Sequence, residues 1–150
     1  MKDTSTTGNY YSIRAVTMIS GLTDRTIRNY ISLGVLEGEK INGLWHFTPE
    51  QVEAFIRHPA VRPSIQAKNN AVVYDFLLNT QKKESSICII LDLPGCDPQE
   101  TAEFFMNAIN NGTEYRNLEF SFDAVYETPR IILKGHAQQI MSLVNRYYQQ

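Results

Sequence analysis

The stretch SGLTDRTIRNYISLGVL, Ser20 to Leu36, decides how the chain is read. Thr23 is a good N-cap, and Asp24 is favourable beside it at the positive end of a helix dipole. These signals predict a helix over Asp24 to about Leu33. Within it Ile27, Tyr30 and Ile31 recur at helical spacing and share a side, expected to pack on the preceding helix. Gly34 stands where a left-handed C-cap residue belongs, and Val35 and Leu36 then return to the core. The opposite side shows Arg25, Arg28, Asn29 and Ser32. Long cations and an amide on a solvent face, in a helix docked after a tight turn, suit the major groove of a duplex. Arginine bridges guanine O6 and N7 or grips a phosphate, and asparagine suits adenine. An ordinary solvated amphipathic helix has the same pattern, so the surroundings must decide.

Upstream, Ser12 caps a helix over Ile13 to Ile19 whose stripe is Ile13, Val16 and Ile19 with Thr17, and Gly21 breaks it. Residues 1–10, MKDTSTTGNY, lack the apolar core of a secretory signal and read as a loose tail. Downstream, EGEKINGLWHF, Glu37 to Phe47, places Asn42-Gly43 as a hairpin turn between two short strands. TPEQ, Thr48 to Gln51, has the composition of a capping box with proline at the first helical position. Val52, Phe55 and Ile56 give that helix its buried side. Pro59 ends it, and Pro63 introduces a further helix to about Asn79.

The order of these signals is informative. YSIRAVTMISGLTDRTIRNYISLGVL followed by NGLWHFTPEQVEAF, Tyr11 to Ile56, resembles the MerR family of winged helix-turn-helix transcription regulators. The matching runs are Gly21-Leu22-Thr23, Thr26-Ile27-Arg28-Asn29-Tyr30 and Leu33-Gly34-Val35-Leu36, in order and without a gap. The resemblance implies a winged helix-turn-helix domain over 11–80 that binds double-stranded DNA sequence-specifically as a homodimer. Its second helix would enter the major groove and its hairpin wing would lie on the backbone. Thr23, Arg25, Arg28 and Asn29 would bear on the groove, Lys40 and His46 would touch backbone, and Trp45 would brace the wing. Three positions depart from the family. An aromatic usually stands where Asn29 is, and a small residue where Thr17 is. The usual wing Gly-Tyr-Arg-x-Tyr is Gly43-Leu44-Trp45-His46-Phe47, so the backbone-clamping arginine is Trp45. The apolar positions persist, so the fold is expected to survive. DNA affinity is expected to be weaker, because each lost phosphate contact removes about one unit of salt slope. Family members also dimerise through a long coiled coil. Here Ser64 to Asn79 gives only about four turns, expected to close the first domain, with a short dimer contact as the alternative.

NTQKKESS, Asn79 to Ser86, holds no apolar residue and reads as a linker, with 81–86 separating the two domains. Beyond it, 87–150 has a different pattern. ICIIL, Ile87 to Leu91, is an apolar strand, and DPQE, Asp97 to Glu100, opens a helix that Gly112 closes. LEFSFDAVY, Leu118 to Tyr126, alternates, with Leu118, Phe120, Phe122, Ala124 and Tyr126 expected to face one way. Thr128-Pro129 is expected to turn the chain into RIILK, and a last helix runs from His136 to about Tyr148. The order βαββα resembles a ferredoxin-like fold lacking its last strand, an α+β domain for dimerisation or sensing. Its first strand would lie at an edge, where an apolar strand is a pairing hazard. Two chains are expected to join there, edge to edge or face to face.

The totals bound the remaining choices. Apolar residues make up 43 % and charged residues 20 % of the 150, so a packed core is expected and disorder is not. Residues 1–83 hold ten Lys/Arg against seven Asp/Glu, whereas 84–150 hold four against nine, so only the first part suits a polyanion. Cys88 and Cys96 are too few for a disulfide scaffold or a cysteine-rich zinc module and read as a small core residue and a turn residue. No apolar run approaches a membrane span, and a bacterial cytoplasm is the simplest home. Phe104, Phe105, Phe120, Phe122 and Tyr126 sit at strand and helix periods, so they read as core more readily than as a pocket for a small-molecule effector. There is no nucleophile elbow, P-loop or metalloprotease motif, so neither an enzyme nor a cofactor is expected. The competing class is a protein-interaction module whose winged helix has lost specific DNA reading.

Overall fold

Side-chain caps set where the first helices begin. The computed structural model describes residues 10–125 and 127–150, with no side-chain description at 125. Ser12 Oγ accepts the Ala15 N–H (3.1 Å) and starts α1, Ile13–Ser20. Gly21 ends it at φ 76°, its own N–H donating to the Thr17 carbonyl. Thr23 Oγ1 accepts the Thr26 N–H (3.1 Å) and starts α2, Asp24–Ser32. Gly34, at φ 78°, then turns the chain so that the Val35 and Leu36 N–H groups both donate to the Tyr30 carbonyl. A hairpin follows, β1 Glu39–Ile41 and β2 Leu44–His46, with Lys40 opposite Trp45. Asn42 (φ 52°) and Gly43 (φ 81°) are both left-handed, as a type I′ turn requires. α3, Pro49–Arg57, carries the reciprocal capping box. The Gln51 N–H donates to Thr48 Oγ1, and the Thr48 N–H donates to Gln51 Oε1.

The chain divides into two compact units at Lys68–Asn69, inside α4, Arg62–Leu78. The polar stretch read as a linker lies after that helix. In the first unit Val16, Ile27, Leu36, Phe47, Phe55 and Ile65 are buried. Tyr11 and Phe47 exchange backbone hydrogen bonds (2.6 and 2.9 Å), tying the start of the unit to the end of the hairpin. A Cβ on Gly38 would collide with the Phe47 ring and lie 3.0 Å from the His46 carbonyl.

The second unit contains β3 Ser86–Asp92, α5 Pro98–Asn110, β4 Glu119–Val125, β5 Thr128–His136 and α6 Ala137–Tyr148. The strands form one antiparallel sheet in the order β3-β5-β4. Ile89, Leu133 and Phe120 stand in one row across it, and Leu91, Ile131 and Phe122 in the next. Phe105 of α5 stacks on Phe120 and on Tyr147 of α6, so both helices cover that face. Overall the described residues form six helices and two small antiparallel sheets, a mixed α+β architecture.

One sequence expectation for this unit needs correction. Thr128 and Pro129 are strand residues, not a turn. Val125 pairs with Thr128, leaving a two-residue connection in which Glu127 has φ 64°. Pro129 is tolerated because its missing N–H faces Leu93, one residue beyond β3, while its carbonyl accepts the Leu93 N–H (3.0 Å). β4 is buried on both faces, since Ser121 and Asp123, on the side opposite Phe120 and Phe122, are 1 % and 4 % exposed. Lys134, on that same face, donates to the Val72 carbonyl (3.4 Å), which brings the second half of α4 there. The tail over residues 1–9 and the facing of Tyr126 lie outside the described residues.

Two outcomes follow from these contacts. Gly38→Ala drives a methyl into the Phe47 ring and the neighbouring backbone, and should lower stability by about 1–3 kcal/mol in denaturant unfolding. Asp92 and Arg130 form a two-bond ion pair across β3 and β5 (2.6 and 2.9 Å). The hydrogen bonds from Arg130 hold the Asp92 carboxyl below its ordinary range. The pair therefore contributes at neutral pH and its contribution is lost as pH falls through that lowered value. Asp92→Asn should cost at most about 1 kcal/mol at pH 7, because the pair is exposed, and the difference from the parent should vanish in acid.

Candidate nucleic-acid interface

α2 has one anchored side and one free side. Ile27 is fully buried, and the Tyr30 ring meets Phe55 of α3 edge-on at 5.4 Å. The Tyr30 hydroxyl donates to the Ala60 carbonyl (3.4 Å). Tyr30, expected against the first helix, thus meets α3 and the turn after it. This anchoring fixes the rotation of α2 about its axis. Arg25, Arg28, Asn29 and Ser32 are all exposed as a result. Thr23 is exposed too, but its hydroxyl is engaged in the cap and donates to Thr26 Oγ1 (3.0 Å).

The two arginines are not equivalent. Arg28 Nε lies 2.5 Å from Asp24 Oδ1, one turn earlier on the same helix, while Arg25 has no ion pair among the described residues. Asp24 thus serves both the helix dipole and Arg28, and the second role was readable from the i, i+4 spacing. Side chains at both ends of the Arg28 pair are more than half exposed. Such pairs are worth about 0.3–0.5 kcal/mol, so a phosphate can displace the carboxylate. The guanidinium groups face solvent rather than the interior.

In the hairpin Lys40 is exposed and holds its ammonium 5.8 Å from the centre of the Trp45 ring. Trp45 is half-buried and stacks nearly parallel on Phe47, with 6.1 Å between centroids. His46, also half-buried, meets the Tyr10 ring edge-on at 5.4 Å. In the hairpin Lys40 is thus exposed, while Trp45 and His46 are half-buried against Phe47 and Tyr10. His58 is engaged locally, Nδ1 accepting the Ala60 N–H (3.0 Å) just before α4. Two apolar residues of the first unit not assigned a role from the sequence are exposed. Leu33, at the end of α2, is 66 % exposed, and Leu44, beside the hairpin turn, is 67 % exposed.

The second unit offers a different environment. Among its aromatics Phe105 and Phe122 are buried, and Phe104 packs on Phe105 and Tyr147, so these rings fill the core. A cavity of about 620 Å³ is polar and open, lined by Glu84, Glu114, Tyr115, His136, Gln138 and Ser142 among others. Tyr115 and Ser142 share a hydrogen bond there (2.8 Å). Cys88 is half-buried and burial pushes its thiol above the ordinary range, whereas Cys96 lies 3.6 Å from the Tyr147 hydroxyl. Among the described residues no three His, Cys, Asp or Glu side chains gather as a metal site, and no helix is long and apolar enough to cross a membrane. Compared with known proteins, the chain matches no family model, no curated protein and no solved structure.

Trp45 is the only tryptophan of the chain, which makes the hairpin directly observable. Lys40→Ala removes an exposed cation over a ring and should cost about 0.5–1 kcal/mol. Trp45→Ala also removes the stack on Phe47 and should cost about 2–4 kcal/mol. Urea unfolding followed by circular dichroism checks the ranking.

Proposed function

We propose that the first unit is a MerR-like winged helix-turn-helix domain that binds double-stranded DNA, and that the protein is a transcription regulator of the bacterial cytoplasm acting as a homodimer. One observation carries the reading. α2 is anchored through Ile27 and Tyr30 so that Arg25, Arg28 and Asn29 stand together on its exposed side. A helix so presented enters the major groove, with its first turns against base edges and phosphates. The type I′ hairpin serves as the wing, with Lys40 toward the backbone and Trp45 as its brace. The second unit supports a ferredoxin-like reading through its strand order, first-third-second, with no fourth strand beside the first among the described residues. Its role in this reading is dimerisation or the sensing of a small-molecule effector.

A protein-interaction role is the second reading, favoured by the exposed apolar side chains of Leu33 and Leu44 in the first unit. Salt dependence separates the two. Binding to a random duplex should fall steeply as salt rises, with Arg25→Ala and Arg28→Ala each reducing the log–log slope by about one. Asp24→Asn, which frees Arg28 and removes a negative charge, should strengthen that binding. Affinity that is absent at low salt, or unmoved by all three changes, contradicts DNA binding and leaves the interaction module.

A further inference from the structure

The outer edge of β3 carries the clearest unassigned surface. Among the described residues no strand pairs with it on that side. Which backbone groups it offers follows from its pairing with β5. The Ala137 N–H donates to the Ser85 carbonyl and the Leu93 N–H to the Pro129 carbonyl. Both pairs continue the register in which Ile89 faces Leu133. In an antiparallel ladder hydrogen-bonded positions alternate, so Ile87, Ile89 and Leu91 turn their backbone groups toward β5. Ser86, Cys88, Ile90 and Asp92 turn theirs outward. This edge has none of the usual protection: no lysine, no proline and no bulge. Ile90 is 51 % exposed along it, and its one charge, Asp92, is already matched by Arg130.

We propose that two copies of the chain join antiparallel along β3, with the two-fold axis at Ile89, giving one continuous six-stranded sheet. Hydrogen-bond parity and side-chain chemistry select this register. Outward-facing residues must pair with outward-facing residues, so the axis falls on a residue of β3 and three centres are available. An axis at Cys88 sets Asp92 against the partner's Glu84, two like charges directly opposed. An axis at Ile90 sets Asp92 against the partner's Cys88 and Ser86 against the partner's Pro94, outside the strand. The axis at Ile89 overlaps all seven residues. It sets Ile87 against the partner's Leu91, Cys88 against the partner's Ile90, Ile89 against the partner's Ile89, and Asp92 against the hydroxyl of the partner's Ser86. Roughly eight backbone hydrogen bonds result, two for each outward-facing pair. The strand is complementary to itself, which favours a second copy over an unrelated partner.

This deepens the dimer within the proposed function, and its test contains no DNA, so its failure and that of DNA binding are distinct. The full chain should sediment at twice the mass of one chain at high micromolar concentration. Ile90→Lys, at an exposed position facing the partner's Cys88, should return it to one chain mass with its circular dichroism unchanged. Residue 89 lies opposite itself in a non-hydrogen-bonded pair, where Cα atoms stand about 4.5 Å apart, within disulfide range. In a Cys88→Ser, Cys96→Ser background, Ile89→Cys should therefore form a cross-chain disulfide on mild oxidation. A chain that sediments as a monomer overturns the proposal, as does a dimer that Ile90→Lys leaves intact. Failure of the Ile89→Cys chain to cross-link while still dimeric overturns the register.

Discussion

The burial of Ile27 and the seating of Tyr30 on Phe55 fix how α2 is turned about its axis. Most of what the first unit presents follows from that orientation. A helix of nine residues is too short to hold itself in water, so its shape is stabilised by this packing and by its caps. Once those residues are inward, geometry leaves Arg25, Arg28 and Asn29 outward, since they lie on the far side of the same turns. The glycine at 34 matters for the same reason. Its left-handed backbone lets Val35 and Leu36 close hydrogen bonds onto Tyr30, so the helix ends where its anchoring residue sits. The hairpin then starts from a fixed point, and its free side chains are held by the Trp45–Phe47 stack.

The second unit rests on a different constraint. β5 is the central strand and is buried on both faces, with Ile131 and Leu133 toward α5 and α6 and Ile132 on the other side. β3 has β5 on one flank only, which leaves a regular apolar strand with half its backbone groups unpaired among the described residues. Residues 84–150, the larger part of this unit, hold four Lys/Arg against nine Asp/Glu, a balance unsuited to a polyanion. Under the proposed function the two units divide the labour, one offering cations to DNA and the other a self-complementary edge.

Much of this was legible in the sequence, and the legible parts are local. Ser12, Thr23 and Thr48 announce their helices because each cap is decided within three residues. Asn42-Gly43 announces its hairpin because few other residue pairs tolerate two left-handed positions. The misreadings come from pairing at a distance. Thr128-Pro129 carries a turn composition, yet β3 and β4 recruit it into a strand whose end needs no proline N–H. The burial of Ser121 and Asp123 on the second face of β4 is likewise set at a distance, and no period in the strand itself reports it. At the candidate interface the residue types and their exposure were readable. Asp24 carries two roles at once, beside the helix start and as the partner of Arg28, and the first masks the second in the sequence.

Selection of bound fragments from a pool of random duplexes asks whether the exposed side of α2 discriminates between sequences. The account predicts an enriched site with two-fold symmetry, each half about one major groove wide, that is lost with Asn29→Ala and Arg28→Ala together. A pool that emerges with the composition it had at the start, at a salt concentration where the protein still retains duplex, contradicts it.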